Sequence, residues 1–280
     1  MPGGALEFGE SAQEACVREF LEETGLKVRT KLLLGVSTNF IQHYPNQDVA
    51  QAVTIEFIVE LLEKTSKEIN AFLDQHLHRI LGEFESCSFN PKIYEVQIDN
   101  EFFTLCQAPL GAPAAVQLLE WLIAYGVEKV LTIGTAGALV DLPENTMLLP
   151  TRAIRDEGTS FHYMQPGQFV ELDSSFLKEV EKALTELNVD YDEITTWTTD
   201  GFFRETPKKV AQFRQLGAST VEMECAALAA CAQFRKIDFA QLLFTADTLA
   251  DMDNYDEREW GSESHRTGLS IGAQILTRIK

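Results

Sequence analysis

Apolar positions along this chain change character near residue 90. From there to the end, short apolar runs of strand type alternate with amphipathic helical stretches. Runs at 93–98 and 102–107, broken by Asp99-Asn100, predict two paired strands. Further strands are expected at 129–133, 147–154, 193–198, 220–223 and 239–244, with helices at 112–125, 174–187, 207–216, 225–234 and 262–279. Such alternation predicts an α/β fold around a largely central sheet. Upstream the pattern differs. A helix is predicted from Ser11 to Gly25: Ser11 and Glu14 form a capping box, Ala12, Cys16, Phe20 and Leu21 an apolar stripe, and Gly25 the stop. Strands at 32–36 and 52–61 follow, and residues 65–70 read as a polar junction.

Composition narrows the class. The 280 residues suffice for one large domain or two small ones. A net charge of −20 argues against a nucleic-acid partner, since binding a phosphate backbone concentrates Lys and Arg. The five cysteines form no CxxC pair, which fits a reduced, cytoplasmic protein. The first residues lack a basic start followed by an apolar run, so no signal peptide is expected. No apolar run is long enough to span a membrane.

Candidate chemistry begins with the acidic helix. Glu19, Glu22 and Glu23 are spaced to share one helical face. Three carboxylates there repel one another unless a cation sits among them, and oxygen ligands suit Mg²⁺ or Mn²⁺. Such an ion could neutralise a diphosphate and activate water. Together with Gly4, Glu10, Arg18 and Gly25, the segment resembles the Nudix box at every defined position. The resemblance implies Glu19, Glu22 and Glu23 as ligands of Mg, Glu10 as a supporting acid and Arg18 as a structural partner. It fades after about Leu62, so residues 1–70 are expected to form a partial Nudix-like α+β segment rather than a competent pyrophosphatase. A Mg-dependent pyrophosphatase is an alternative activity. The strand at 52–61 is also a candidate for recruitment into the neighbouring sheet.

Four strings in the second region carry a different chemistry. Leu131-Thr-Ile-Gly-Thr-Ala-Gly-Ala-Leu139 follows a strand; Gly134 and Gly137 would let backbone N–H groups approach an anion and Thr135 adds a hydroxyl, although a plain tight turn reads the same way. In Val221-Glu222-Met223-Glu224, a carboxylate at a strand-to-helix turn can accept two vicinal sugar hydroxyls while Met223 offers an apolar surface. Phe244-Thr-Ala-Asp247 ends a strand with an acid that can protonate a ring nitrogen, or simply cap a turn. In Thr198-Thr-Asp-Gly-Phe-Phe-Arg204, Phe202 could stack on a base and Arg204 could contact base or anion, or be an exposed charge. The segment from Arg155 to Tyr163 adds His162 as a candidate, against an ordinary structural histidine.

In this order the strings resemble the nucleoside phosphorylase superfamily, of the purine nucleoside/uridine phosphorylase type. The resemblance implies a three-layer α/β/α sandwich over residues 71–280, assembled as a dimer or trimer of dimers. It implies cleavage of the N-glycosidic bond of a purine or pyrimidine nucleoside by phosphate, with no cofactor. Glu224 and Asp247 would be catalytic. Met223, Glu222, Phe202, Arg204, Thr135, Gly134 and His162 would bind substrate. One departure matters: the family's Arg two residues before the glycine matched by Gly134 is Thr132 here, and its N-terminal Gly-rich loop has no match. Arg152, Arg155 or Arg204 could substitute. A nucleosidase using water at the same site is the alternative.

Overall fold

The computed structural model describes residues 5–24, 28–43, 49–61, 66–87, 89–172 and 174–279. These fall into two compact units, Met1–Ser66 and Lys67–Lys280. In the first unit, helix α1 (Ala12–Thr24) starts at the expected capping box. The Ser11 N–H donates to Glu14 at 2.8 Å, and the Glu14 N–H returns to Ser11 Oγ at 3.3 Å. The predicted stop at Gly25 lies outside the described residues. Strands β1 (Val28–His43) and β2 (Val49–Leu61) form an antiparallel hairpin with three register shifts. The expected recruitment of 52–61 does not occur: β2 pairs with β1 in a two-stranded sheet of their own.

The second unit opens with two elements that the apolar pattern did not announce, α2 (Lys67–Leu73) and β3 (Leu77–Glu83). Strands β4 (Lys92–Ile98) and β5 (Glu101–Cys106) pair as predicted across Asp99-Asn100, and Asp99 takes the left-handed conformation (φ 56°) that the tight turn needs. With β3 they make a three-stranded sheet.

The remaining strands are β6 (Lys129–Ala138), β7 (Met147–Asp156), β8 (Phe169–Glu171), β9 (Asp192–Thr199), β10 (Ala218–Glu222) and β11 (Asp238–Thr248). They form one mixed sheet in the order β11-β6-β10-β9-β7-β8. β11 also pairs with β7 through Leu243–Leu148 and Phe244–Met147, so five of the strands close into a ring. Ala136, Leu148, Ile194 and Leu243, one from each of four strands, cluster together.

Helices α3 (Ala112–Ala124), α4 (Ser175–Glu186), α5 (Pro207–Gln215), α6 (Cys225–Arg235) and α7 (Ser262–Leu276) cover the sheet. α3, α4 and α6 share the main apolar cluster, while Val210 and Phe213 of α5 pack on Trp197, Ile154 and Val221 in another. α6 is Ala-rich and buried nearly all round, which lets it lie close to α3 and the strands. The α/β/α layering expected from the sequence holds. No helix among the described residues is long and apolar enough to cross a membrane.

Candidate active site

Three strands deliver their chemistry to one place. β6 and β11 run parallel, with Thr245 level with Ala136, so Asp247 emerges beside Gly137 and Ala138. β10 runs antiparallel to β6, with Val221 opposite Gly137, so the chain leaving it carries Glu222, Met223 and Glu224 back toward Thr135. Around this junction lies a cavity of about 130 Å³. Asp247, Glu224, Met223, Glu222, Phe202 and Thr135 all line it, as do Glu205, Leu110 and Trp260. Arg204, Gly134 and His162 are not among its lining residues.

The four carboxylates of the cavity have different surroundings. Glu222 is buried and fully engaged: it accepts from Thr198 Oγ1 at 2.6 Å and from the N–H groups of Glu224 at 2.8 Å and Cys225 at 2.7 Å. It therefore caps the start of α6 and fixes the turn that presents Glu224. Burial and the charge of Glu224 push it up to about 8. Glu224 accepts from the Gly111 N–H at 2.5 Å, and burial raises its pKa, opposed by backbone N–H bonds from Gly111 and Met223. Gly111 has φ 90°, a left-handed backbone that favours glycine and aims its N–H at the carboxylate. Asp247 is buried and accepts from the Tyr255 hydroxyl at 3.1 Å. Burial raises its pKa, opposed by that bond and by the charge of Arg258. Burial and the charge of Asp247 push Glu205 up to about 7.

The glycines of the 131–139 string do something other than expected. The segment does not turn at its glycines. It continues as β6 to Ala138, with Gly134 paired to Leu243 and Gly137 to Val221, because neighbouring strands on both sides engage its backbone. Gly137 matters for space. A Cβ there would lie 2.9 Å from Leu249 Cδ1 and 3.1 Å from Asp247 Oδ1. Gly137→Ala is expected to cost about 1–3 kcal/mol in stability by overpacking and to displace the Asp247 carboxyl. Thermal unfolding together with kcat checks this.

His162 is exposed and lines a separate open cleft of about 890 Å³, with Phe84, Trp121, Tyr163 and Asp200. The two cavities share no lining residue. Arg155 is buried, donating to Ser160 Oγ at 2.8 Å and lying 4.0 Å over the Phe161 ring. Arg152 donates to Thr195 and lies over Phe169. Arg204 is exposed at the end of a short 3₁₀ turn, Phe202–Arg204.

In the first unit, Arg18 occupies the middle of the acidic face. It bonds Glu10 at 2.7 Å, Glu19 at 2.7 Å and Glu22 at 3.2 Å. Among the described residues no three His, Cys, Asp or Glu side chains converge to hold a metal.

The model of the phosphorylase superfamily matches residues 65–273, which takes in every residue lining the cavity. The chain belongs to the phosphorylase superfamily. The NUDIX domain model matches residues 1–94. A guanosine phosphorylase of Halorubrum lacusprofundi is 29% identical over 143 residues, which are 51% of this chain and 59% of that protein. Among solved structures, uridine phosphorylase from Vibrio fischeri ES114 superposes with a TM-score of 0.64 at 20% identity, covering 75% of this chain and 87% of that one. The 5′-methylthioadenosine/S-adenosyl homocysteine nucleosidase of Campylobacter jejuni superposes with a TM-score of 0.61 at 19% identity, covering 76% and 95%. At these identities the superpositions speak for the fold. Both a phosphorylase and a nucleosidase share this fold.

Sequence reasoning missed Glu205, Leu110, Gly111, Tyr255 and Trp260. Glu205 stands in an Arg-Glu-Thr-Pro string, and Tyr255 and Trp260 are two aromatics in the acidic stretch after Asp247. Those are weak local signals. Only the folded loop shows Trp260 at the cavity and the Tyr255 hydroxyl on Asp247.

Proposed function

We propose that this chain cleaves the N-glycosidic bond of a purine nucleoside, with water as the acceptor. The supporting observation is that Glu224 and Asp247 line one cavity together with Met223 and Phe202. Glu224 accepts the two vicinal ribose hydroxyls, and its charge favours the positive character that ribose gains as the bond lengthens. Met223 packs on the sugar and Phe202 on the base. Asp247, kept protonated to higher pH by burial, gives its proton to a ring nitrogen of the departing base. A purine offers such a nitrogen in its five-membered ring. The C1′–N bond breaks with its electron pair on the base. The water oxygen bonds to C1′, and its spare proton returns to solvent.

The choice of water rests on the lining. Its titratable side chains are Glu205, Glu222, Glu224 and Asp247, and no Lys, Arg or His stands among the described lining residues. A phosphate dianion entering a small cavity with four carboxyls meets repulsion without a charge-assisted donor. None of the three arginines that could have substituted for the missing one is among the lining residues: Arg152 bonds Thr195, Arg155 bonds Ser160, and Arg204 is exposed. Phosphorolysis remains the second reading, favoured by the similarity to a guanosine phosphorylase and by Thr135 at the cavity. Purified protein incubated with inosine in phosphate-free buffer is expected to release hypoxanthine and free ribose, at a rate that added phosphate does not raise. Turnover only with phosphate, yielding ribose 1-phosphate, would establish phosphorolysis instead.

A further inference from the structure

Trp260 reaches the cavity from the segment between β11 and α7, on a backbone that a bulky side chain rarely adopts. Its φ is 55°, and Arg258 (51°) and Gly261 (65°) are left-handed with it. Such a run persists only where its surroundings over-determine it. One side chain takes both amides that flank Trp260. Glu144 Oε1 accepts from the Glu259 N–H and from the Gly261 N–H, each at 3.0 Å. Glu144 belongs to the connection from β6 to β7, which is itself fastened to β11. The Asn145 N–H donates to the Thr245 carbonyl and the Thr146 N–H to Thr245 Oγ1, both at 2.9 Å. Arg258 adds a second tie, donating to the carbonyls of Leu142 at 2.8 Å and Ala246 at 3.3 Å. Gly261 is thereby seated so closely that a Cβ on it would lie 3.2 Å from the Thr245 carbonyl and 3.3 Å from Thr135 Cγ2. The backbone on either side of Trp260 is thus held against β6 and β11, and its indole joins Leu110 and Phe202 in lining the cavity.

We propose that Glu144 is a positioning residue of the site: by gripping the amides of Glu259 and Gly261 it fixes Trp260 as an apolar wall against which the nucleoside packs. The inference rests on the reading that this cavity takes the nucleoside. Glu144 itself touches no substrate and moves no proton. A wall held in place beforehand spares the ligand the cost of ordering it. Its loss therefore weakens binding of substrate and transition state alike, and falls on KM rather than on kcat. Without the Glu144 acceptor, two backbone N–H groups turn to solvent, the left-handed run relaxes and the indole leaves the cavity.

The test is a double-mutant cycle in the full-length protein, with inosine as substrate. Trp260→Ala and Glu144→Ala are each expected to raise KM by about 10- to 100-fold, the worth of one large apolar contact, with kcat little changed. Glu144→Gln, whose amide oxygen still accepts, should restore most of the loss. In the Trp260→Ala background, Glu144→Ala should change KM by less than about twofold, because Glu144 acts only through the indole. Should Glu144→Ala fail to fold, Glu144→Asp, which withdraws the oxygen by one methylene, takes its place in the cycle. Additive effects, or a fall in kcat with KM unchanged, overturn the inference. Acrylamide quenching of the unliganded protein separates this from failure of the underlying activity. The difference between wild type and Trp260→Phe isolates the signal of Trp260 among the three tryptophans. Without any turnover, a Trp260 that becomes more accessible in Glu144→Ala and not in Glu144→Gln still supports the positioning role, and unchanged quenching sinks it.

Discussion

Glu224→Gln is expected to lower kcat/KM for a purine nucleoside by about 10²–10³-fold while leaving the melting temperature unchanged or higher. Glutamine keeps the shape but offers one acceptor and one donor where two ribose hydroxyls need acceptors. It also removes the negative charge that faces the developing positive charge on ribose. Stability should not suffer, because Glu224 is a half-buried acid beside the fully buried Glu222, and burial already disfavours its ionised form. Neutralising one member of the pair relieves repulsion. A parallel loss of activity and stability would instead mark Glu224 as a structural residue of the α6 turn. Activity assays and thermal unfolding of the same preparation separate the two.

Asp247→Asn is expected to reduce kcat for purine nucleosides by about 10²–10⁴-fold, the range for loss of a positioned general acid. The pH dependence of the wild type gives an independent signature. Burial raises the pKa of Asp247 above that of a free aspartate, so its protonated form, the one that can donate, persists to higher pH. Activity that needs this proton is full below the raised pKa and declines as pH rises through it. The variant should lose that declining limb. Tyr255→Phe removes the bond that opposes the shift, so the limb should move to higher pH. A limb that stays in place in both variants would assign the proton to another group.

Much of the fold was legible because strong periodicity and caps agreed with tertiary contacts. Helix α4 begins at Ser174, whose hydroxyl accepts from the Leu177 N–H at 3.0 Å. Other elements gave no signal of their own. In α2 only Ile69 and Leu73 are buried over seven residues, and β3 is exposed along nearly its whole length, so neither shows a regular apolar period. The glycines of β6 looked like a turn because their strand character comes from β10 and β11, which arrive from about 85 and 110 residues downstream. The candidate site divides the same way. Glu224 and Asp247 sit in distinctive strings at strand ends. The parts contributed by connecting segments, Gly111, Glu205, Tyr255 and Trp260, become visible only when the chain brings them to the cavity. His162 shows the converse: a residue in a suggestive string that lies in a different cleft.

The most direct test is a crystal structure of the protein with a purine C-nucleoside, whose carbon link between sugar and base resists cleavage. The ribose hydroxyls are predicted on the Glu224 carboxylate and the five-membered ring of the base against Asp247, within the cavity that Met223 and Phe202 line. A nucleoside bound in the cleft beside His162, or one in the predicted cavity with its hydroxyls turned away from Glu224, would contradict the assignment.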